Sequence, residues 1–569
     1  MNAFVADPSI RHAGLLTPLS AIRGSRDSGT GDTEALVELA HWAASKGLRV
    51  VQILPVNETC ADHSPYNLLS AMAWEPSTLS ISPEWLPGMT PAQWTKCLKK
   101  HGVEELSSGP VRHAAVQALK AEAFALAEAA FFKDAEAAAL ADLDAFRTRE
   151  ADWIEDYLVF RSLRTWNGEH DVVPDWPVAH HTPAAAREWI RGLGGSDRTR
   201  WEAVTRRHLF VQWTAARQWE RVRAEFDRLG LALMGDIPVG VSLYSADVWA
   251  NPSLFDTGRS SGAPPERVFK SDPFTEKWGQ NWGFPLYDWS TMSRDNFAWW
   301  RLRLQAARRV FHLLRVDHAL GFFRIYSFPW RPEENASFLE LTPEEAAART
   351  GGRLPAFVPG DDETPESRDR NERLGEMLFR VLLEETGDHR LVAEDLGQVA
   401  PYVRPVLEKL EIPGFKIPQW ERAEDGSMRA GDTYQRLSLA TFATHDHPPI
   451  RLFWEDWERE CEVPETAATA QTSMREMMDF CGNRQLPVPC AYSAEVHAAF
   501  LHGLFATNSW LAIHQITDLF ALKDRFNVPG AVGDQNWTVR VPGTIAHWNR
   551  LFAPELKRLA QALKNSGRA

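Results

Sequence analysis

Eight short apolar segments alternate with helical stretches along this chain of 569 residues, and that alternation limits the folds open to it. The first unit is explicit. GLLTPLSAI (14–22) reads as a strand, and Leu36, Leu39, Ala40 and Ala43 repeat at helical spacing over Thr33–Lys46. GLRVVQILPV then gives a second strand, stopped at Pro55. Strand, helix and strand with short links make a parallel βαβ unit. Further strands are read in LALMGDIPV, FHLLRVDHALGFF, HRLVAEDLG, GFKIP, LSLATFATHDH and WLAIHQITDL. The expected architecture is α/β, a (β/α)8 TIM barrel with large, mainly helical insertions and no C-terminal β-sandwich domain.

Residues 1–82 are expected to begin the barrel, 83–230 to form a helical insertion, and 231–569 to complete the barrel with irregular loops. Within the insertion, 112–148 is rich in Ala, Glu and Leu, strong helix formers. A second helix is expected over 205–229, ended by Gly230, with GEHDVVPDWPVAHHTP as an exposed loop before it. The Trp-rich stretch 248–289 reads as irregular, and TGGRLPAFVPGDDETPESRDR as a mobile surface loop. A terminal helix is expected from Thr544 to Lys564.

Charge narrows the function. A formal net charge of −14 supplies no basic face for nucleic acid. Five scattered cysteines without a Cys-x-x-Cys or Cys/His cluster indicate neither a disulfide framework nor a structural zinc site. No apolar run is long enough for a membrane span, and MNAFVADPSIRHAG lacks the pattern of a secretory signal, so the cytoplasm is the expected compartment. The 24 tryptophans are compatible with sugar stacking and equally with core packing.

Acidic residues fall at the ends of the apolar segments: Asp236, Asp317, Glu394 and Asp446. In a closed barrel the C-terminal strand ends meet on one face, which brings these acids into one pocket. Arg315 and Asp317, two residues apart on a strand, point the same way, and the nearby cation keeps Asp317 ionised. Glu394, flanked by Val392 and Ala393, is the candidate proton donor. One ionised and one protonated carboxyl is the equipment of a glycosidase. Converging acids also suit a divalent metal, and a glucan-binding protein without chemistry is the non-enzymatic alternative.

Taken together, HSPYNLLSA, DWIEDYLVFRSL, GDIPVGVSLYSADVWANP, WGQNWGFPLYDW, LLRVDHALGF, VAEDLG, THD and RFNVPG followed by NW occur in an order that is specific. The chain resembles the 4-α-glucanotransferases (amylomaltases, or disproportionating enzymes) of glycoside hydrolase family 77. The resemblance implies retaining transfer of α-1,4-glucan segments between maltooligosaccharides, with no metal or organic cofactor. Hydrolysis of the same bond is the nearest alternative. By position, Asp317 matches the family's nucleophile, Glu394 its acid/base, and Asp446, with His445 before it, its transition-state stabiliser. Arg315 matches the arginine orienting the nucleophile. Tyr66 and Asp236 match positions around the transferred glucose, and Asn281 and Trp282 positions lining donor subsites. The chain departs from the family pattern at His447-Pro448-Pro449, in KIPQWERAEDG, in NWTVR and at Ala531, which leaves acceptor preference and donor length open.

Overall fold

Eight parallel strands close into a barrel in the computed structural model, which describes residues 4–265, 272–483, 491–529, 533 and 535–568. Cys490 and Ala531 lie outside the described residues. The strands are β1 (His12–Thr17), β2 (Val50–Ile53), β3 (Ala232–Ile237), β4 (Leu313–Val316), β5 (Leu391–Ala393), β6 (Gly414–Lys416), β7 (Ser438–Ala440) and β8 (Leu511–Gln515). Each pairs with its sequence neighbours, and β1 pairs with β8 to close the ring. All eight expected segments supply one strand each.

The period of two along the strands sorts side chains to the two faces. Ala232 and Met234, Leu313, Val392, Phe415, Leu439, and Leu511 with Ile513 form one buried cluster, which fills the barrel. The alternate residues Leu233, Leu314, Val316, Leu391 and Ala393 belong to the larger core under the surrounding helices. The inward series continues past the apolar layer to Asp236, Arg315, Asp317 and Glu394. The barrel is therefore apolar at depth and charged where the strands end.

The helices obey the same local chemistry. Thr33–Ser45 begins at Asp32, whose side chain accepts from the Ala35 amide, and buries Leu36, Leu39, Ala40 and Ala43. The helix expected over 205–229 starts earlier, at Gly195, and ends as expected at Gly230, where φ is 66°. It packs between Thr33–Ser45 and Ala298–Val310.

Several local expectations are corrected. The 112–148 stretch is two helices, His113–Asp134 and Ala137–Arg149. Within 169–182 the chain makes two short 3-10 turns that bury Trp176 and His180, because Trp176 packs on Phe160 with ring centroids 5.5 Å apart. The segment read as a surface loop contributes the strand Ala356–Val358, and at Thr364-Pro365 it starts the helix Pro365–Thr386. That strand joins Ile325–Phe328, Ser260–Ala263 and Gln280–Asn281 in a four-stranded antiparallel sheet beside the barrel. A second small sheet pairs Phe255–Asp256 with Leu286–Tyr287, so the Trp-rich stretch is ordered by pairing rather than irregular. The terminal helix is two, Ile545–Leu551 and Ala553–Ser566. Asp446, read as closing a strand, lies six residues past Ala440 in the loop after β7. Among the described residues no helix is long and apolar enough to cross a membrane.

Leu313 is fully buried in the inner cluster directly beneath the charged layer. Leu313→Ala is expected to cost about 2–5 kcal/mol of stability, the usual range for a buried Leu truncation. A lower midpoint in urea unfolding, followed by circular dichroism, checks this.

Candidate active site

One guanidinium holds the inward-facing acids together. Asp236 on β3 is the register partner of Arg315 on β4, so the two project side by side into the barrel mouth. Arg315 Nη1 donates to Asp236 Oδ1 at 2.8 Å and Oδ2 at 2.7 Å, and to Asp317 Oδ1 at 2.9 Å. Its Nη2 lies 3.7 Å from Glu394 Oε2. The guanidinium carbon sits 5.9 Å from the centroid of the Phe415 ring in the barrel interior. The expected common orientation of Arg315 and Asp317 is thus present.

Three carboxyl groups share one positive charge in a largely dehydrated place, and burial disfavours the charged form of an acid. Burial pushes the Glu394 carboxyl up to about 8; Arg315 opposes this and Asp317 adds to it. Asp236 is also raised by burial, against the pull of Arg315. Glu394 accepts the His318 amide at Oε2 (2.8 Å) and the Leu396 amide at Oε1 (3.1 Å). A carboxyl that is neutral near pH 7, yet fixed at both oxygens, is placed to give up a proton.

A second group reaches the same face from loops. Tyr66 lies in the loop after β2, which short bridges Asn57 to Trp74 and Thr59 to Leu68 hold closed. Buried Glu58 anchors that loop to the helix Ala151–Trp166, accepting from Tyr157 Oη at 2.6 Å and Arg161 Nε at 2.8 Å. The Tyr66 hydroxyl donates to Asp236 Oδ2 at 2.7 Å and lies 3.3 Å from His445 Nδ1. The Tyr66 and His445 rings stack with centroids 4.9 Å apart. His445 Nε2 is 3.2 Å from Asp446 Oδ2. Burial by itself would raise the Asp446 carboxyl. His445 and the Asn527 side-chain amide, which donates to Oδ1 at 2.6 Å, hold it well below the usual carboxylate range instead.

Trp282 meets the site through His318, standing edge-on with ring centroids 4.9 Å apart. Asn281 is not brought to the acids. Its side chain donates to the Trp330 carbonyl at 3.3 Å and to Asn335 Oδ1 at 3.0 Å, both in the segment that follows the strand Ile325–Phe328. Three further contributors carry no assignment from the sequence reading. Asn527 binds Asp446, Arg525 Nη2 donates to the Asp446 carbonyl at 2.8 Å, and Trp537 packs 6.1 Å from Tyr66. The RFNVPG and NW motifs contain all three, so their signal was the motif itself, without a chemical pattern to give it a role. The amides of His318 and Leu396 leave no trace in residue type.

A 4-alpha-glucanotransferase family model matches residues 17–546. A 4-alpha-glucanotransferase of Thermus thermophilus is 29% identical over 568 residues, covering 95% of this chain and 98% of its own. One from Chlamydia trachomatis is 28% identical over 554 residues, covering 95% and 92%. An amylomaltase from Streptococcus agalactiae, solved in complex with acarbose, matches the fold with a TM-score of 0.75 at 22% identity, over 98% of this chain and all of that one. With the barrel, its charged mouth and the family match running over nearly the whole length, the chain belongs to the 4-alpha-glucanotransferase family and is an enzyme of that type.

Proposed function

We propose that Asp317 and Glu394 carry out retaining transfer of α-1,4-glucan segments in two displacements. Glu394 gives its proton to the glycosidic oxygen while Asp317 attacks C1. The C1–O bond breaks, the reducing-end piece leaves, and a β-linked glycosyl ester forms on Asp317. Asp317 Oδ1 is engaged by Arg315, so the attack falls to Oδ2. Glu394, now a carboxylate, takes the proton of an acceptor 4-hydroxyl, whose oxygen attacks C1 and displaces Asp317. Linkage number is conserved, and one chain lengthens at the expense of another.

The observation that carries this reading is the Arg315 guanidinium bound to Asp317 at 2.9 Å and reaching Glu394 only at 3.7 Å, so that one carboxyl is cation-held while burial raises the other. Asp446, kept ionised by His445 and Asn527, stabilises positive charge developing at the ring oxygen and C1. Tyr66, Asp236 and His445 form the wall against the transferred glucose, and Trp282 with Asn281 the donor side beyond it. The substrates are α-1,4-glucans and maltooligosaccharides. A divalent cation fits this cluster poorly, because the Arg315 guanidinium already occupies the position between Asp236, Asp317 and Glu394. Preference for sugar over water comes from holding the acceptor hydroxyl in attack geometry, an effect worth about 7–11 kcal/mol in oriented systems.

Maltotriose incubated with the protein in EDTA tests the reading, with glucose plus a ladder of longer maltooligosaccharides as the expected products. Glucose and maltose without a ladder indicate hydrolysis. Loss of turnover in EDTA restores the metal, and binding without turnover restores the non-catalytic alternative. Asp317→Asn is expected to lower kcat roughly thousandfold or more while leaving the fold and much of the glucan binding intact; binding and rate measured on one preparation check it.

The reactive form of Glu394 is protonated, and its raised pKa leaves that form dominant below about 8. kcat/KM for glucose release is therefore expected to fall tenfold per pH unit above about pH 8, and a flat profile well beyond that range contradicts the assignment. Asn527→Ala removes a hydrogen bond to a charged group, worth about 1.5–3 kcal/mol, so kcat/KM is expected to drop about ten- to a hundredfold at constant fold.

A further inference from the structure

The two amides on Glu394 have different origins. Leu396 is two residues along the same chain, and its N–H reaches Oε1 through a local turn. His318 belongs to the end of the neighbouring strand, and its N–H reaches Oε2 because the chain there turns left-handed, with φ 42° and ψ 54°. Residues with a Cβ are uncommon in that region and persist where their surroundings over-determine them.

The surroundings at His318 do this from several sides. The next amide, that of Ala319, donates to the Glu394 carbonyl at 3.0 Å, and the Glu394 amide donates back to the Val316 carbonyl at 3.0 Å. At Gly321 a Cβ would come within 3.0 Å of His318 Cδ2, so the absence of a side chain there makes room for the ring. The ring stands edge-on to Trp282, interplanar angle 86°, and Trp282 is itself fixed by its Nε1 donating to Gln280 Oε1 at 3.1 Å. Burial lowers the imidazole pKa to about 4, against the pull of Asp317, so at neutral pH the ring contributes shape and not charge.

We infer that His318 is a positioning residue for Glu394: its left-handed backbone, pinned by the backbone hydrogen bonds between Ala319, Glu394 and Val316, aims an amide at Oε2. This rests on the acid/base reading of Glu394. The other groups facing that carboxyl are Arg315, Asp317 and Asp395 together with the Leu396 amide. Donation from an amide favours the carboxylate form. Withdrawal of the His318 N–H therefore raises the pH at which Glu394 loses its proton, and it frees the carboxyl to rotate away from the leaving oxygen.

Backbone-directed substitutions separate this role from simple packing. Asn and Gly accept the left-handed region, Ala accepts it less readily, and β-branched Val resists it. The readout is kcat/KM for glucose release from maltotriose between about pH 5 and pH 10, on full-length variants checked by circular dichroism. His318→Val is expected to lower kcat/KM at least about tenfold and to move the basic limb upward by about half a pH unit or more, while His318→Asn and His318→Gly keep the wild-type limb and stay within about threefold in kcat/KM. His318→Ala shifts the limb in the same direction as Val by a smaller amount, and it stands in if Val does not fold. Equal losses in Asn, Gly and Ala, or an unmoved limb in both Ala and Val, overturn the inference. A wild-type profile without a basic limb near pH 8 instead overturns the acid/base reading of Glu394 itself.

Discussion

A single buried guanidinium sets the chemistry of this protein. Arg315 contacts Asp236, Asp317 and Glu394, and one positive charge cannot offset three negative ones in a dehydrated barrel mouth. At least one of the acids must hold a proton near neutrality. Glu394 is the one farthest from the cation, at 3.7 Å against 2.7 and 2.9 Å for the others, and burial dominates its environment. The split between a proton-bearing acid and a cation-bound one therefore follows from position alone. The Arg315→Ala change would remove packing against Phe415 together with the charge that holds the acids in place, so its effects on stability and on rate are inseparable.

The remainder of the site depends on long-range anchors. The loop that brings Tyr66 to Asp236 is tied by Glu58 to Tyr157 and Arg161, about a hundred residues away in sequence and on a helix outside the barrel strands. Asp446 depends on Asn527 and Arg525, from the chain after β8. Trp282 is carried by a small antiparallel sheet that also includes the strand Ala356–Val358. The barrel supplies the acids rigidly, and the excursions between its strands supply the walls that hold a sugar against them.

The legible part of the site follows the period of two. Met234 and Asp236, Leu313, Arg315 and Asp317, and Val392 and Glu394 share one strand face each, so the apolar pattern that identifies the strands also aims the acids. Register does the rest: Asp236 beside Arg315 is a pairing between strands 79 residues apart that no local pattern encodes. Asp446 falls outside this logic because β7 ends at Ala440, and its place comes from the loop and its partners. The strand Ala356–Val358 was hidden among Gly, Pro and charged residues, since a short edge segment gains its order from pairing with Ile325–Phe328. The partners of Asn281 were equally hidden: its amide binds the Trp330 carbonyl and Asn335, a contact made after the strand Ile325–Phe328 that no strand period encodes. The left-handed backbone at His318 was invisible, because only a few per cent of non-Gly residues of any type enter that region and residue type alone does not say which.

Difference infrared spectroscopy of the wild-type protein against Glu394→Gln reads the protonation of that carboxyl without turnover. A protonated carboxyl band that is present at neutral pH in the wild type, absent from the variant, and lost with a midpoint near the value of about 8 set by burial is the expected result. A wild-type protein in which the Glu394 signal is already that of a carboxylate at neutral pH would contradict the sharing of one buried cation by three acids as the origin of its proton donor.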